Sequence, residues 1–263
     1  MSSHPDIDKI IFTGSTATGK KIMENASCNL KRLTLELGGN DAAIVLPDTN
    51  VAEAAPKIFA TAFINNGQTC AALKRLYVHE DIYDEMCTAL TEIANSVTTG
   101  DGAGDVDFGP IQNKSQFDKV CSMAEDARAR GAKFLSGGEP GSGRGYFYPA
   151  SIVADIDDDA QLVKEELFGP ILPVLKFNDV NDALQRANDS PSGLGGSVWS
   201  ADVERATQLA SRLECGTAWV NNHAMIQPDA PFGGVKQSGF GVEFGRHGLE
   251  ECTTIQTMQI SKS

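Results

Sequence analysis

Short apolar runs and amphipathic helix patterns alternate along most of this chain, and that alternation restricts its fold more than any other feature. Residues 9–12, 42–46, 75–78, 171–177, 196–199 and 217–221 read as strands, the first two as buried ones. Helix patterns fall between them at 17–26, 82–97, 115–130 and 180–188, and at 202–213 behind an Asp202 cap. The clearest helix carries Val51, Ala54, Ala55, Ile58, Phe59, Ala62 and Phe63 on one stripe, with Asp48 or Asn50 as cap and Gly67 as its expected end. Strands separated by whole helices are parallel crossover units, because a tight turn cannot join a parallel pair. The expected class is therefore α/β, built on parallel-sheet crossover units. Leu33, Leu35 and Leu37 share one face of a further strand at 30–37, which stops at Gly38-Gly39. A short strand is expected at 133–135, a polar Gly/Asp loop at 100–107, and an edge strand at 253–260, where polar and apolar residues alternate.

Charge excludes one large class of partner. The formal net charge is −13, and no basic stripe is present to displace counterions from phosphates, so a nucleic-acid surface is not expected. The densest acidic run, Asp155 to Asp159, reads as a solvated loop, and no metal site is expected. The 6 cysteines form no C-x-x-C pair, which argues against zinc and against a disulfide framework and favours a reducing compartment. No apolar stretch approaches the roughly 18 residues of a spanning helix, and Met1-Ser2-Ser3-His4-Pro5 shows neither a basic nor an apolar signal region. A soluble, cytoplasmic protein with no membrane partner is the expectation.

Three segments carry residues suited to chemistry. Gly14-Ser15-Thr16-Ala17-Thr18-Gly19-Lys20-Lys21 nearly matches a phosphate loop, but Lys21 stands where a magnesium-binding hydroxyl is required. A strand feeding a Gly-Ser turn at a helix start suits an anion such as pyrophosphate; it also suits a capped helix with no ligand. Glu36, in Leu35-Glu36-Leu37-Gly38-Gly39-Asn40, has apolar neighbours and two following glycines. Such surroundings disfavour the charged form and move a carboxyl toward the range of a useful base; an outward Glu on an edge strand is the plainer alternative. Cys70, in Asn66-Gly67-Gln68-Thr69-Cys70, follows the clearest helix on a loop, whereas the other five cysteines fall in predicted elements or their ends. Cys70 reads either as an inert small residue or as a nucleophile presented to a cleft. His223 is a candidate base for a Cys-His hydrolase, or a surface residue. Glu165-Glu166-Leu167-Phe168-Gly169-Pro170 and Pro231-Phe232-Gly233-Gly234 set an aromatic against Gly and Pro, as rigid pocket-lining loops do.

In order along the chain, Phe12-Thr13-Gly14-Ser15-Thr16, Leu35-Glu36-Leu37-Gly38-Gly39, Gly67-Gln68-Thr69-Cys70, Glu165-Glu166-Leu167-Phe168-Gly169-Pro170, Pro231-Phe232-Gly233-Gly234 and Ser238-Gly239 resemble the aldehyde dehydrogenase superfamily. The likeness runs from Lys9 to about Ile260. It implies an aldehyde dehydrogenase-type catalytic domain over 40–240, a remnant of a Rossmann-like cofactor domain over 1–39, and a tail over 241–263 with an oligomerisation-type strand. It also accounts for a chain that opens almost directly on a phosphate-type turn, where a doubly wound domain needs several earlier strands. Members are roughly twice this length by the same resemblance; the rest would supply most of the cofactor domain and an oxyanion-holding Asn. At Ser190-Pro191-Ser192-Gly193-Leu194 the family usually has Tyr before Gly-Leu, and only a local packing change is expected there.

The resemblance implies oxidation of an aldehyde to a carboxylic acid with NAD or NADP. Cys70 would be the nucleophile and the one reactive thiol, and Glu36 the base that activates water on a thioester. Gly14, Ser15, Gly19, Leu37, Glu166 and Phe168 would contact the cofactor: Ser15 at the pyrophosphate, Glu166 at the nicotinamide ribose, Phe168 against the cofactor. Phe232 would line the aldehyde pocket. A homo-oligomer is expected. Competing readings are a CoA-dependent acylating relative, which Glu36 disfavours, a chain with residual thiol esterase activity, and a non-catalytic oligomer-forming piece.

Overall fold

The computed structural model describes residues 1–261. The chain begins with β1 (Lys9–Thr13), α1 (Thr16–Ala26), β2 (Arg32–Glu36), β3 (Asp41–Val45), α2 (Val51–Ala62), β4 (Leu73–His79) and α3 (Tyr83–Ser96). It continues through α4 (Lys114–Ala129), β5 (Lys133–Phe134), β6 (Ser151–Ala154), α5 (Gln161–Lys164), β7 (Ile171–Phe177), α6 (Val180–Asn188), β8 (Ser192–Gly193) and β9 (Gly195–Trp199). The last elements are α7 (Val203–Ala210), β10 (Thr217–Val220), β11 (Val235–Lys236), β12 (Gly239–Phe240) and α8 (Gly245–Glu250).

The main sheet has 7 strands in the order β10-β9-β3-β4-β7-β6-β5. Its pairs are parallel except β5–β6. β3 lies inside it and is buried along its whole length, as a strand covered on both faces must be. Its side chains alternate between two cores. Ala43 and Val45 face α2 and α3 with Ile58, Phe59, Phe63, Met86 and Leu90. Ala42, Ile44 and Leu46 face α6 and α7 with Leu184, Ala187, Ala206 and Leu209. Full burial of a side chain such as Ile58 stabilises by about 1.5–3 kcal/mol, which is why the stripe on α2 fixes that helix to the sheet.

A second sheet has 3 strands in the order β1-β2-β12. β1 was expected to be buried; it is an edge strand instead, and Ile11 is 51% exposed. β12 returns from far along the chain to pair antiparallel with β2, matching Gly239 with Glu36. Residues 1–39 therefore do not build their sheet alone. The chain crosses between the sheets at 37–40, and the candidate chemistry gathers at that crossing.

Three other expectations are corrected, and one strand was not expected. α2 ends at Ala62, and Asn65, Asn66 and Gly67 then turn the chain with φ of 50°, 58° and 71°; Asn and Gly tolerate that left-handed region best. The helix capped by Asp202 stops at Ala210. No strand forms at 253–260 among the described residues, where Ile255 is 98% exposed; a strand needs a neighbour for its amides, and none lies alongside. β6, unforeseen in sequence, is four buried residues too short to show a period. No helix among the described residues is long and apolar enough to cross a membrane.

Candidate active site

Cys70 lies on a turn held from several sides. The Ala72 amide donates to the Thr69 carbonyl at 3.1 Å, and Asn66 Nδ2 donates to the Gly109 carbonyl at 3.0 Å. Gln68 Oε1 accepts from the Gln112 amide at 2.8 Å. A methyl group on Gly67 would overlap the Gly169 carbonyl, so the turn rests directly on the Glu165–Pro170 segment. That segment is in turn fixed by α4: Gln116 Nε2 donates to the Leu167 carbonyl at 2.6 Å, and Lys119 Nζ to the Glu166 carbonyl at 2.7 Å. Two motifs far apart in sequence thus form one rigid unit.

The Cys70 side chain is half-buried against Ala71, Leu194, Trp219 and Phe232. Its thiol pKa is pushed up by burial and, to a lesser degree, by the carboxylates of Asp41, Glu166 and Glu36, while a hydrogen bond from the Ala71 amide works the other way. A thiol so placed is less readily ionised than an ordinary one.

Glu36 ends β2, paired with Thr13 of β1 on one side and Gly239 of β12 on the other. It is 3% exposed, so the outward-facing alternative fails. Burial, reinforced by nearby Glu243, raises its carboxyl from an ordinary 4.5 to about 7, against a weaker opposing hydrogen bond from the Gly234 backbone. Its Oε1 is buried without a hydrogen-bond partner and would lie 3.2 Å from a methyl placed on Gly233. Gly233 follows Phe232, which packs in the Cys70 cluster.

Glu166 is half-buried and accepts from the Gly39 amide at 3.2 Å. Its carboxylate fills the space where a Gly38 side chain would stand, so Gly38-Gly39 is a cradle that only glycine leaves open. Phe168 has a φ of 54°, and its ring centroid lies 5.7 Å from Lys74 Nζ. Ser15 caps its own helix: Oγ accepts from the Thr18 amide at 3.2 Å. The Gly14 amide donates to the Glu36 carbonyl at 3.0 Å. Gly19 is buried against Leu37, whose Cδ2 would be 2.7 Å from a methyl there, so its smallness serves helix-to-strand packing. Leu37 is itself buried and donates its amide to the Ser238 carbonyl at 3.0 Å. Phe232 also lines an apolar cavity of about 260 Å³ with Trp219, Met225, Ile226 and Pro231.

His223 is neither on the surface nor aimed at Cys70. Its Nδ1 is 3.0 Å from Ser197 Oγ, and its Nε2 is 3.5 Å from Asp41 Oδ2. Sequence reasoning passed over Asp41, Lys74 and Trp219. Asp41 and Lys74 are charged residues in apolar runs, the one signal that could have flagged them. No cluster of His, Cys, Asp or Glu suited to a metal occurs among the described residues.

A parallel α/β sheet, a cysteine on a turn before one strand and a buried glutamate ending another define the class to which known proteins can be compared. A model of the aldehyde dehydrogenase family matches residues 1–258. The chain belongs to that family. It is 39% identical over 265 residues to aldehyde dehydrogenase 1A1 of Homo sapiens, covering 100% of this chain and 53% of that protein. Its Gallus gallus counterpart is 41% identical over 262 residues, covering 99% and 52%. The chain thus spans about half the length of these relatives. Among solved structures, the NAD+ complex of aldehyde dehydrogenase from Bacillus cereus superposes with a TM-score of 0.91 at 39% identity, over 95% of this chain and 51% of that one. Lactaldehyde dehydrogenase from Escherichia coli gives 0.91 at 33%, over 95% and 53%.

Proposed function

We propose that this site carries the thiol and base chemistry of aldehyde oxidation to a carboxylic acid, with NAD or NADP as cofactor. The observation that carries the reading is Glu36: a buried carboxyl poised at about 7, whose charge is felt by the half-buried thiol of Cys70. A base works best when its pKa lies near the working pH.

The residues fit a dinucleotide. The Gly38-Gly39 cradle holds a half-buried carboxylate, Glu166, able to accept from ribose hydroxyls. The first turn of α1 offers the amides of Thr16 and Ala17, which have no carbonyl within their own helix to bond. Gly14 and Ser15 shape that turn, Gly19 packs α1 on Leu37, and Phe168 would lie against the cofactor. When bound, the nicotinamide supplies a hydride acceptor.

The chain's own residues then act in sequence. The Cys70 thiol gives up its proton to solvent, its sulfur attacks the aldehyde carbon, and the new oxyanion is stabilised by the Cys70 backbone amide. Loss of hydride leaves a thioester on Cys70. Glu36 takes a proton from water, which adds to the thioester carbonyl; the carboxylic acid leaves and the thiol is restored. Trp219, Phe232 and Leu194 exclude bulk water from the thiol and favour an aldehyde with an apolar substituent.

The test is aldehyde-dependent formation of reduced cofactor. Cys70→Ser should abolish it, and Glu36→Gln should leave one stoichiometric burst followed by little turnover. Equal steady rates in Cys70→Ser and the unaltered protein would overturn the proposal.

A further inference from the structure

Lys74 occupies an unusual place in the main sheet. In the β3–β4 pairing Asp41 matches Leu73 and the next residue, Ala42, matches Arg75, so Lys74 is the extra residue of a bulge. A bulge turns one side chain out of the alternation of its strand. Here Lys74 is 4% exposed. Its Nζ donates to the Gly67 carbonyl at 2.8 Å and the Thr69 carbonyl at 2.9 Å, stapling the turn that presents Cys70. The ammonium has no carboxylate within ion-pair distance among the described residues, so it enters the site as a fixed buried charge.

Asp41 comes from the other half of the same bulge. A methyl on Gly39 would lie 2.5 Å from the Cys70 carbonyl and 2.9 Å from Asp41 Oδ1, so the Asp41 carboxylate and the backbone of Cys70 meet at one glycine. Asp41 Oδ1 accepts from the Gly195 amide at 3.0 Å. Its Oδ2 has no hydrogen-bond partner and faces His223 Nε2 at 3.5 Å, both side chains being wholly buried. Ser197 Oγ accepts from the Trp199 indole N–H at 3.0 Å, which leaves its own proton for His223 Nδ1.

We propose that Lys74 and Asp41 are a pair of opposed positioning charges, placed by the bulge, that set how readily Cys70 becomes a thiolate. Lys74 stabilises the anion and Asp41 opposes it. Glu166 and Glu36 also face the thiol and act with Asp41. Burial holds Lys74 down to about 8, while Glu166, Asp41 and Cys70 favour its charge. Its contribution is therefore present at neutral pH and fades above it. This rests on Cys70 being the nucleophile.

The experiment follows iodoacetamide alkylation of the Cys70 peptide by mass, in the full chain, from pH 6.5 to about 9.5. At neutral pH Lys74→Met should slow alkylation about threefold or more, and Asp41→Asn should speed it by a similar factor. The Lys74→Met and unaltered rates should converge above about pH 8, where Lys74 loses its own charge. Loss of the staple alone would loosen the turn and speed alkylation at every pH. An unchanged or faster Lys74→Met rate at neutral pH, or an unchanged or slower Asp41→Asn rate, overturns the proposal. If Lys74→Met does not fold, the Asp41→Asn result decides it. Acylation by an activated ester separates the two readings. A Cys70 that takes no acyl group removes the proposed function, whereas acylation with unaltered alkylation rates in both variants removes only this inference.

Discussion

Gly67 lies against the carbonyl of Gly169 so closely that no methyl group fits between them. The nucleophile's turn and the segment bearing Glu166 and Phe168 are thereby assembled by the absence of two side chains. Gly67 also has a φ of 71°, in the region where a side chain adds strain. Gly67→Ala must therefore either push Gly169 away or unwind the turn. We expect a loss of about 1–3 kcal/mol of stability, measured by denaturant unfolding, together with loss of thiol-dependent activity. Unaltered stability would mean that the two segments are not in contact.

Glu36 makes both stability and chemistry depend on pH. Its carboxyl is raised from 4.5 to about 7 in the folded chain. The folded state thus holds a proton that the unfolded state releases, and stability falls as pH rises from 4.5 to 7. The loss is about 2 kcal/mol after allowance for solvent screening. Glu36→Gln should flatten that part of the stability profile. Catalysis runs in the opposite sense, because the base form accumulates above about 7. Hydrolysis of an acyl group on Cys70 should rise with pH to a plateau in the unaltered chain and be slow throughout in Glu36→Gln. A stability slope that survives Glu36→Gln would assign the effect to another group.

The cysteines should label in an order set by exposure and thiol acidity, because the thiolate is the reacting species. Cys28 and Cys252 are exposed and should react first. Cys70, half-buried and pushed up by burial and three carboxylates, should follow. Cys87 and Cys215, held up to about 11 and about 12, should react last. An iodoacetamide time course with peptide mapping at neutral pH gives the order directly. Cys70 labelling ahead of Cys28 and Cys252 would show that its turn is more open, or its field more positive, than described above.

The helices were legible because burial imposes a period on them: the stripe from Val51 to Phe63 is one face of α2 packed on the sheet. Glu36 and Cys70 were legible as candidates because a carboxylate among leucines and a thiol on a loop are each out of place for their type. The bulge was not legible. Lys74 lies outside the strand expected at 75–78, and only the register with β3 reveals that it is buried beside Arg75. The edge strand over 253–260 failed for the converse reason. Alternation records which face a strand would bury, but pairing requires a neighbour, and the described residues place none there.

Cofactor affinity is the final case, and it follows from what the 263 residues offer. Glu166 and the first turn of α1 supply polar contacts for a ribose and an anion. Ser15 Oγ already accepts from the Thr18 amide and lies 2.9 Å from Thr18 Oγ1, so it brings little unspent hydrogen-bonding capacity. Among the described residues the small sheet has 3 strands, a narrow platform for a dinucleotide. Each tenfold loss of affinity corresponds to about 1.4 kcal/mol, roughly one hydrogen bond. With so few polar contacts on offer, weak binding is the expectation. Calorimetric titration of this chain with NAD and with NADP should give dissociation constants of about a millimolar or weaker, and aldehyde oxidation should be slow at ordinary cofactor concentrations. Micromolar binding with steady turnover would show that the crossing between the two sheets holds the cofactor unaided.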